Sequence, residues 1–406
     1  MFKLRKAWLL NCAASVLLSA APTILRAQTG AFVYVTNAGG PGPGTVSAYS
    51  INHPSGILIP VQGSPFPAGT SPWSIVVDPE GRFAYVANRG DDTIGAYAID
   101  GVTGALTPVP GSPFPENPTI RGEFPWSVAV DPTGKFVYVA NYYAANVRAF
   151  GIDQNTGALA QVPGSPFPAG GIPRGLTVDP AGRFVYVANG YRGSPGIVSA
   201  FTIDANSGAL TPVAGSPFPV PTDPKSSFGQ SLPNSVTVDP SGGILYVTDS
   251  WQADIWAYAI AESTGALTLF PGSPFPAQDG PFSITVIPRG KFAYSSNTGT
   301  VSAFTIARTT GALTPVPGSP FPAGFYSVSV GLSPTGQFVY AASQGSALNN
   351  WAGSVSAYAI DQSDGKLTPV PGSPFAAGSL STSVAVTPSP RQRVRRVAGG
   401  ILPAFE

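Results

Sequence analysis

Few side chains of this 406-residue chain are equipped for acid–base or nucleophilic chemistry. The chain has one histidine, His53, and one cysteine, Cys12. His53 stands in a Pro- and Gly-containing stretch that is typical of a structural turn rather than of a catalytic centre. A general base would therefore be a carboxylate, and the candidates are Glu123 and Asp223, both in long loops. Arg174 could hold a carbonyl or anionic oxygen in the same reaction. The alternative for each carboxylate is a solvated loop charge.

A second set of residues suits ligand binding. They start equivalent strands of a sequence repeat or lie in the loops beside them, and they are Trp73, Trp126, Arg174, Asn234, Phe282, Tyr143, Tyr191 and Trp251. Exposed aromatic rings beside a few polar groups are typical of sites for carbohydrates, other planar-faced small molecules or protein partners. The alternative is that these rings only pack loops together.

Composition argues against several functions. Charged residues make up 10% of the chain and the net charge is +1, so there is no concentrated basic surface for nucleic acid. The pair Asp91-Asp92 lacks the alternating oxygen-ligand spacing of a calcium loop. The sequence also lacks a zinc, phosphate-loop or nucleotide motif. We therefore expect no metal, no cofactor and no nucleic-acid partner.

These candidate residues must be positioned by a unit of roughly fifty residues that recurs seven times. Each copy has an apolar strand, an aromatic strand such as Phe83–Asn88, an alternating strand such as Val198–Ile203, and a short strand running into Gly-Ser-Pro-Phe. Asp131-Pro132-Thr133-Gly134 has the residues that a type I turn prefers, so it connects the first two strands as a hairpin. Proline removes ladder donors, which places the fourth strand at a sheet edge. Each copy is therefore predicted to be a four-stranded antiparallel sheet.

A ring of such sheets buries both apolar faces of each one. We predict an all-β fold, a seven-bladed β-propeller of four-stranded antiparallel blades, over residues 28–388. The chain enters with an aromatic strand at Phe32 and ends with a first-strand signal at Ser383–Pro388. The ring is therefore expected to close when the C-terminal strand joins the sheet begun by residues 32–66. An open solenoid would need capping units, which the sequence lacks.

In a propeller, the loops between blades and the loops from second to third strand share one face, around the mouth of the central channel. The predicted ligand-binding residues all belong to that face. The sequence therefore predicts an aromatic-lined channel mouth, with plugging of the channel by the same rings as the alternative.

The Tyr-Val-x-Asn strand, the Asp-Pro-x-Gly turn and the Thr-Gly-Ala-Leu turn resemble the lactonase family of seven-bladed propellers. That family includes one class of 6-phosphogluconolactonase and grades into YVTN-type surface-layer propellers. The resemblance covers residues 32–388 and implies a sugar-lactone hydrolase, with Arg174 at the carbonyl and Glu123 or Asp223 as base. Relatives often carry Pro-Arg-His at the start of an inner strand. Here Pro173 and Arg174 match, but Gly175 stands where His is expected.

The N-terminus is typical of an export signal. Lys3, Arg5 and Lys6 precede an apolar stretch over residues 7–21, too short for a membrane span. We expect cleavage after Ala27, which makes residues 1–27 a signal peptide, with lipid attachment at Cys12 as the less favoured alternative. Residues 389–406 form a basic tail that is expected to be disordered.

These features favour an exported binding or interaction module that uses the channel mouth for a small-molecule, carbohydrate or protein ligand, and we expect a monomer. A lactone hydrolase is the alternative. The missing histidine counts against it, as does export, since phosphosugar metabolism is cytoplasmic. A structural envelope protein without a small-molecule site is the third possibility.

Overall fold

The computed structural model describes residues 30–40, 42–116, 122–190, 195–222, 230–278 and 280–388. The predicted signal peptide (1–27) and basic tail (389–406) lie outside these ranges. The described residues form seven antiparallel sheets and one 3-10 helix, Ala347–Asn349. None of the helical structure in these ranges is long and apolar enough to cross a membrane.

Each sheet is one blade, numbered here in chain order. The strands of blades 1 to 3 are β1 (Phe32–Asn37), β2 (Pro43–Asn52), β3 (Ile57–Pro60), β4 (Phe66–Thr70), β5 (Pro72–Val77), β6 (Phe83–Asn88), β7 (Thr93–Ile99), β8 (Leu106–Pro108), β9 (Phe114–Pro115), β10 (Pro125–Val130), β11 (Phe136–Asn141), β12 (Asn146–Ile152), β13 (Leu159–Gln161) and β14 (Phe167–Pro168). Those of blades 4 and 5 are β15 (Pro173–Val178), β16 (Phe184–Asn189), β17 (Ile197–Ile203), β18 (Leu210–Pro212), β19 (Phe218–Pro219), β20 (Pro233–Val238), β21 (Ile244–Asp249), β22 (Asp254–Ile260), β23 (Leu267–Leu269) and β24 (Phe275–Pro276). Those of blades 6 and 7, with the strand that ends the described chain, are β25 (Ser283–Val286), β26 (Phe292–Ser296), β27 (Thr300–Ala307), β28 (Ala312–Pro315), β29 (Phe321–Pro322), β30 (Ser327–Leu332), β31 (Phe338–Ser343), β32 (Ala352–Ile360), β33 (Leu367–Pro369), β34 (Phe375–Ser379) and β35 (Ser381–Val386).

The second strand of each blade lies at the centre of the packing between neighbours. Every residue of β6 is buried, because both faces of the sheet contact adjacent blades. The Tyr85 hydroxyl donates a hydrogen bond of 3.1 Å to the Gly157 carbonyl of the next blade. Gly157 has φ +77°, and a Cβ there would lie 2.4 Å from the Phe83 ring, so this turn requires glycine. The same hydroxyl-to-glycine bond is made by Tyr34, Tyr138, Tyr186, Tyr246 and Tyr294.

The outermost strand is the one point at which the blades differ from the prediction. Each has five strands, because the predicted fourth strand is split into two segments that both pair with the third strand. In blade 2, β8 pairs with the end of β7 and β9 with its beginning. The Ser112 hydroxyl fills the break by accepting a 2.9 Å hydrogen bond from the Ala96 amide. Proline, which has no amide hydrogen, follows this serine and cannot continue the ladder.

The ring closes as predicted. β35 pairs antiparallel with β1, so that Val33 lies opposite Val386 and Val35 opposite Val384. The innermost strands also follow one another around the ring, from β5 through β10, β15, β20, β25 and β30 to β35. The prediction of a seven-bladed β-propeller is confirmed.

Candidate functional site

The channel mouth is built on irregularities at the start of the innermost strands. In blades 2 to 5, the pairing register shifts at the residue after the first proline of that strand. The residues at these bulges are Trp73, Trp126, Arg174 and Asn234. A bulge re-aims one side chain relative to the pleat and is common next to functional sites. The shared register explains how four such different side chains reach the same mouth.

Three of these residues join a compact group of rings and guanidinium ions, called here the mouth cluster: Trp73, Arg89, Phe124, Trp126, Tyr142 and Arg174. The ring centroids of Trp73 and Trp126 are 4.6 Å apart, and Trp126 stacks on Tyr142 at 4.9 Å. The guanidinium carbons of Arg89 and Arg174 lie 5.0 and 5.4 Å from the centre of the Trp126 ring. Two cations therefore lie close to one indole, an arrangement that cation–π attraction stabilises.

Arg174 is held in a fixed orientation. Its Nε donates to the Gly190 carbonyl at 2.9 Å, its Nη1 to Asn234 Oδ1 at 3.1 Å, and its Nη2 to the Tyr142 hydroxyl at 3.4 Å. A guanidinium has five N–H donors, so two are left for a ligand. The Asn234 Nδ2 group beside it has no partner among the described residues. The site thus presents convergent hydrogen-bond donors beside an aromatic surface.

Arg89 also belongs to this site; it follows β6 in a loop from second to third strand, but it was not among the predicted residues. Its guanidinium contacts Trp73 at 4.8 Å and Phe124 at 5.5 Å, in addition to Trp126. Within the described chain, neither Arg89 nor Arg174 forms an ion pair with a carboxylate. Burial lowers the pKa of both guanidinium groups from the ordinary arginine value, because their charged forms are partly desolvated. Both stay protonated at neutral pH, so the cluster attracts anions.

Glu123, a predicted base, lies behind the mouth cluster in a buried polar network between blades 2 and 3. Its Oε1 accepts a 2.9 Å hydrogen bond from Arg148 Nη2. Its Oε2 accepts from the side-chain amides of Asn141 and Asn146, both at 3.3 Å. Only 4% of Glu123 is exposed. The carboxylate is therefore already engaged by the protein.

The backbone of the same loop explains why the adjacent side chains of Glu123 and Phe124 point to different places. The Asp92 carboxylate accepts hydrogen bonds from the amides of Gly122 and Phe124, at 2.7 and 2.8 Å. Phe124 has φ +55°, a left-handed conformation. This turn directs Glu123 towards Arg148, while Phe124 contacts Arg89 at the mouth.

Glu116 is a second carboxylate in this network and was not predicted. It is fully buried, and its Oε2 lies 3.6 Å from Arg148 Nε and 3.1 Å from Asn141 Nδ2. Burial raises the pKa of Glu116 to about 8, and the negative charges of Glu123 and Asp92 add to the rise. One guanidinium neutralises one carboxylate. Arg148 makes its shorter contact with Glu123, so Glu116 is the carboxyl group that keeps its proton at neutral pH.

The other predicted ligand-binding residues have different positions. Tyr143 is 62% exposed and extends the mouth cluster outwards, with its ring 4.5 Å from Phe124. Phe282 packs against Tyr326 at 5.7 Å on blades 6 and 7. Trp251 is half-buried, and its amide donates to Asp249 Oδ1 at 3.1 Å. Tyr191 and Asp223 lie outside the described residues.

The geometry defines what the mouth cluster can do chemically. Its rings offer flat surfaces for a sugar, and its two guanidinium groups offer charge-assisted donors for carboxylate, phosphate or carbonyl oxygens. In the described ranges, no three His, Cys, Asp or Glu side chains converge as metal ligands. This arrangement is chemically suited to recognition of an oxygen-rich, planar-faced ligand and to stabilisation of negative charge.

Comparison with known proteins identifies relatives of the chain. A sequence model of the family described as "Lactonase, 7-bladed beta-propeller" matches residues 58–166 and 222–377. The 6-phosphogluconolactonase of Formosa agariphila is 36% identical over 89 residues, an alignment that spans 22% of this chain and only 24% of that protein.

Solved structures share the fold over nearly the whole propeller. A Bacteroides uniformis protein provisionally assigned as a 6-phosphogluconolactonase has a TM-score of 0.69 at 19% identity, covering 88% of this chain and 99% of that chain. The periplasmic gluconolactonase of Pseudomonas aeruginosa has a TM-score of 0.68 at 18% identity, covering 89% of this chain and 99% of that chain. At these identities the likeness is one of fold.

Proposed function

This chain belongs to the lactonase family of seven-bladed β-propellers, and from that premise we propose that its mouth cluster binds and hydrolyses a sugar lactone. The observation that carries the proposal is the pair of guanidinium groups, Arg89 and Arg174, beside stacked rings and without carboxylate partners in the described chain. Hydrolysis of a lactone creates negative charge twice, first on the carbonyl oxygen and then on the carboxylate product. Fixed cationic donors stabilise both.

We assign each residue a role in this reaction. The sugar ring lies against Trp73 and Trp126, and the two remaining donors of Arg174 bind the carbonyl oxygen. A water molecule attacks the carbonyl carbon, the ester C–O bond breaks, and the ring oxygen takes up a proton as the hydroxy acid forms. Arg89 binds an anionic substituent where the substrate carries one.

A carboxylate must accept the proton of the attacking water. Glu123 is tied to Arg148, so we assign this role to Asp223 and a structural role to Glu123. The test of this assignment is direct. Asp223→Asn should abolish turnover, whereas Glu123→Gln should lower the unfolding midpoint.

A second candidate function is binding without hydrolysis, in which an exported propeller recognises a carbohydrate, a small molecule or a protein through the same mouth. The engagement of Glu123 by Arg148 favours it, because that leaves no free base among the described mouth residues identified by sequence. Both functions use the mouth cluster and differ only in turnover.

The experiment that separates them is a hydrolysis assay of the purified protein on glucono-1,5-lactone and on its 6-phosphate, corrected for spontaneous hydrolysis. Arg174→Gln should lower kcat by about 10²–10³, the usual effect of removing one donor to an oxyanion. Arg89→Gln should raise KM by about ten-fold for the phosphorylated lactone alone, the effect of one lost charge-assisted hydrogen bond. Trp126→Ala should raise KM for both lactones.

The matched control is Arg82→Gln, which removes a guanidinium from the opposite end of the blade 2 inner strand. Its kinetics should equal those of the unmodified protein. No turnover above the spontaneous rate, with Trp126-dependent quenching of fluorescence by the lactone, would replace hydrolysis by binding. If the protein shows neither turnover nor binding, a structural envelope protein is the remaining function.

We also propose that the protein is exported. The basic residues before an apolar stretch over 7–21 support this, as does the naming of a protein with this fold as periplasmic. Fractionation of cells should find the protein outside the cytoplasm with Gln28 at its N-terminus. A cytoplasmic protein that retains Met1 would contradict export.

A further inference from the structure

Blade 5 departs from the repeat at the end of the molecule opposite the mouth. In the turn from first to second strand, blades 2, 3, 4 and 6 carry a basic residue followed by phenylalanine, whereas blade 5 carries Gly243-Ile244. The basic residue has a defined task in blades 2, 4 and 6. Arg183 crosses the Phe184 ring at 5.2 Å, and its Nη1 donates to the Glu262 carbonyl of the next blade at 2.8 Å. Likewise, Lys291 Nζ lies 4.7 Å from the centre of the Phe292 ring and donates a 2.6 Å hydrogen bond to the Ser363 carbonyl.

Because Gly243 and Ile244 are smaller than the basic residue and phenylalanine of the other blades, a cavity is left between blades 5 and 6. Phe270 fills the inner part of the vacated space, because a Cβ on Gly311 would lie 2.9 Å from its ring. The outer part stays open as a pocket with a volume of about 460 Å³. Its apolar lining comes from Ile244, Ile306 and two prolines.

Blade 6 supplies two cations to this pocket. Arg289 stands where the other turns have Glu, Thr, Ala or Ser, and Arg308 lies over Gly290, whose Cβ position is 3.4 Å from Arg308 Nη2. Within the described chain, neither arginine forms an ion pair. The Asp239 carboxylate also lines the pocket, but the Ser241 hydroxyl and the amides of Ser241, Gly243 and Ile244 already donate to it.

We propose that this pocket, called here the blade 5–6 pocket, is a second ligand site for a small organic anion with an oxyanion group and a compact apolar body. The oxyanion pairs with the guanidinium groups of Arg289 and Arg308, while the apolar body contacts Ile244 and Ile306. This site is independent of hydrolysis at the mouth, since it lies at the opposite ends of the inner strands.

The test is calorimetric titration with phenyl phosphate, benzoate and inorganic phosphate. The reference protein is Arg89→Gln/Arg174→Gln, in which the mouth has lost its cations. Phenyl phosphate and benzoate should bind this reference, and phenyl phosphate should bind at least about ten-fold more tightly than inorganic phosphate because of its buried ring. Arg308→Gln in this background should weaken binding by about ten-fold.

The decisive variant is Gly243→Arg, which restores the residue of blades 2 and 4. Gly243 has an ordinary backbone conformation, and a Cβ there meets only Ser241 Oγ, at 3.4 Å, so the arginine can be accommodated. It should fill the pocket and weaken binding although it adds a positive charge. Equal or tighter binding by Gly243→Arg would overturn the proposal in favour of general electrostatic attraction, and so would an absence of binding to the reference protein. Arg82→Gln, at the corresponding place in blade 2, should leave binding unchanged.

Discussion

Replacement of Glu116 by glutamine should stabilise the protein at alkaline pH and leave its stability near pH 4 almost unchanged. Glu116 is fully buried between blades 2 and 3, and it shares Arg148 with Glu123. Burial raises the pKa of Glu116 from 4.5 to about 8. In the unfolded chain the group titrates near its ordinary value.

The sign and size of the effect follow from this difference. Between pH 4.5 and 8 the folded protein keeps a proton that the unfolded chain has lost, so the free energy of unfolding falls as pH rises and levels off above pH 8. Each unit of pKa difference corresponds to about 1.4 kcal/mol in the free energy of unfolding. The rise of the Glu116 pKa from 4.5 to about 8 therefore corresponds to as much as about 5 kcal/mol. Glutamine has the same shape, stays neutral and keeps an oxygen for Asn141. It removes this pH dependence.

The assay is chemical denaturation followed by tryptophan fluorescence, at intervals from pH 4 to pH 9. The difference in free energy of unfolding between Glu116→Gln and the unmodified protein should grow with pH and reach its maximum above pH 8. Glu80→Gln is the control, since Glu80 is partly exposed and pairs with Arg82 at 2.7 Å. If Glu116→Gln is the less stable protein at pH 9, Glu116 is an ionised partner of Arg148 and does not keep its proton in the folded protein.

Two further predictions concern the contacts between blades. Tyr85→Phe should lower the free energy of unfolding by about 1–2 kcal/mol, because it leaves the buried Gly157 carbonyl without its donor. Tyr340→Phe is the matched control and should change it by only a few tenths, since the Tyr340 hydroxyl has no partner in the described part of the chain; equal losses would show that the hydroxyl bond does not stabilise the interface. Val384→Ala, at the closure of the ring, should lower the free energy of unfolding by about 2 kcal/mol in denaturation experiments. Val102→Ala is the control, and because Val102 is exposed it should cause no measurable change. If the two valine variants unfold alike, pairing of β35 with β1 does not hold the ring together.

Much of the fold could be predicted because turn residues repeat at fixed offsets. Asp131-Pro132-Thr133-Gly134 and its copies mark one hairpin of each blade, and the C-terminal first-strand signal reveals the closure with β1. The split outer strand could not be predicted. Pro113 indicates a break in the fourth strand, but the sequence does not show that β9, after the break, pairs again with β7.

The site could be predicted in part. The shared repeat position identified Trp73, Trp126 and Arg174, which the bulges bring to one mouth. Arg89 follows β6 in the same kind of loop as Tyr143 and Trp251, so its place at the mouth could be predicted. Its contacts with Trp73 and Trp126 could not, because they depend on the tertiary structure.

The burial of Glu123 has a signal that can be read from sequence. Arg148 stands at a position of the third strand where most copies carry Ser or Gly, such as Ser47, Gly95 and Ser199. A cation at a small, buried position of a repeat requires a carboxylate partner nearby. That requirement identifies Glu123 and Glu116, the carboxylates of the adjoining loop.

Lactone hydrolysis through Arg174 can be measured as the initial rate of acid release from glucono-1,5-lactone in a pH-stat. The unmodified protein should exceed the spontaneous rate, and Arg174→Gln should lose about 10²–10³ of the enzymatic rate while it remains folded at the assay temperature. Equal rates for the two proteins, or no rate above the spontaneous one, would show that the mouth cluster does not hydrolyse this lactone through Arg174.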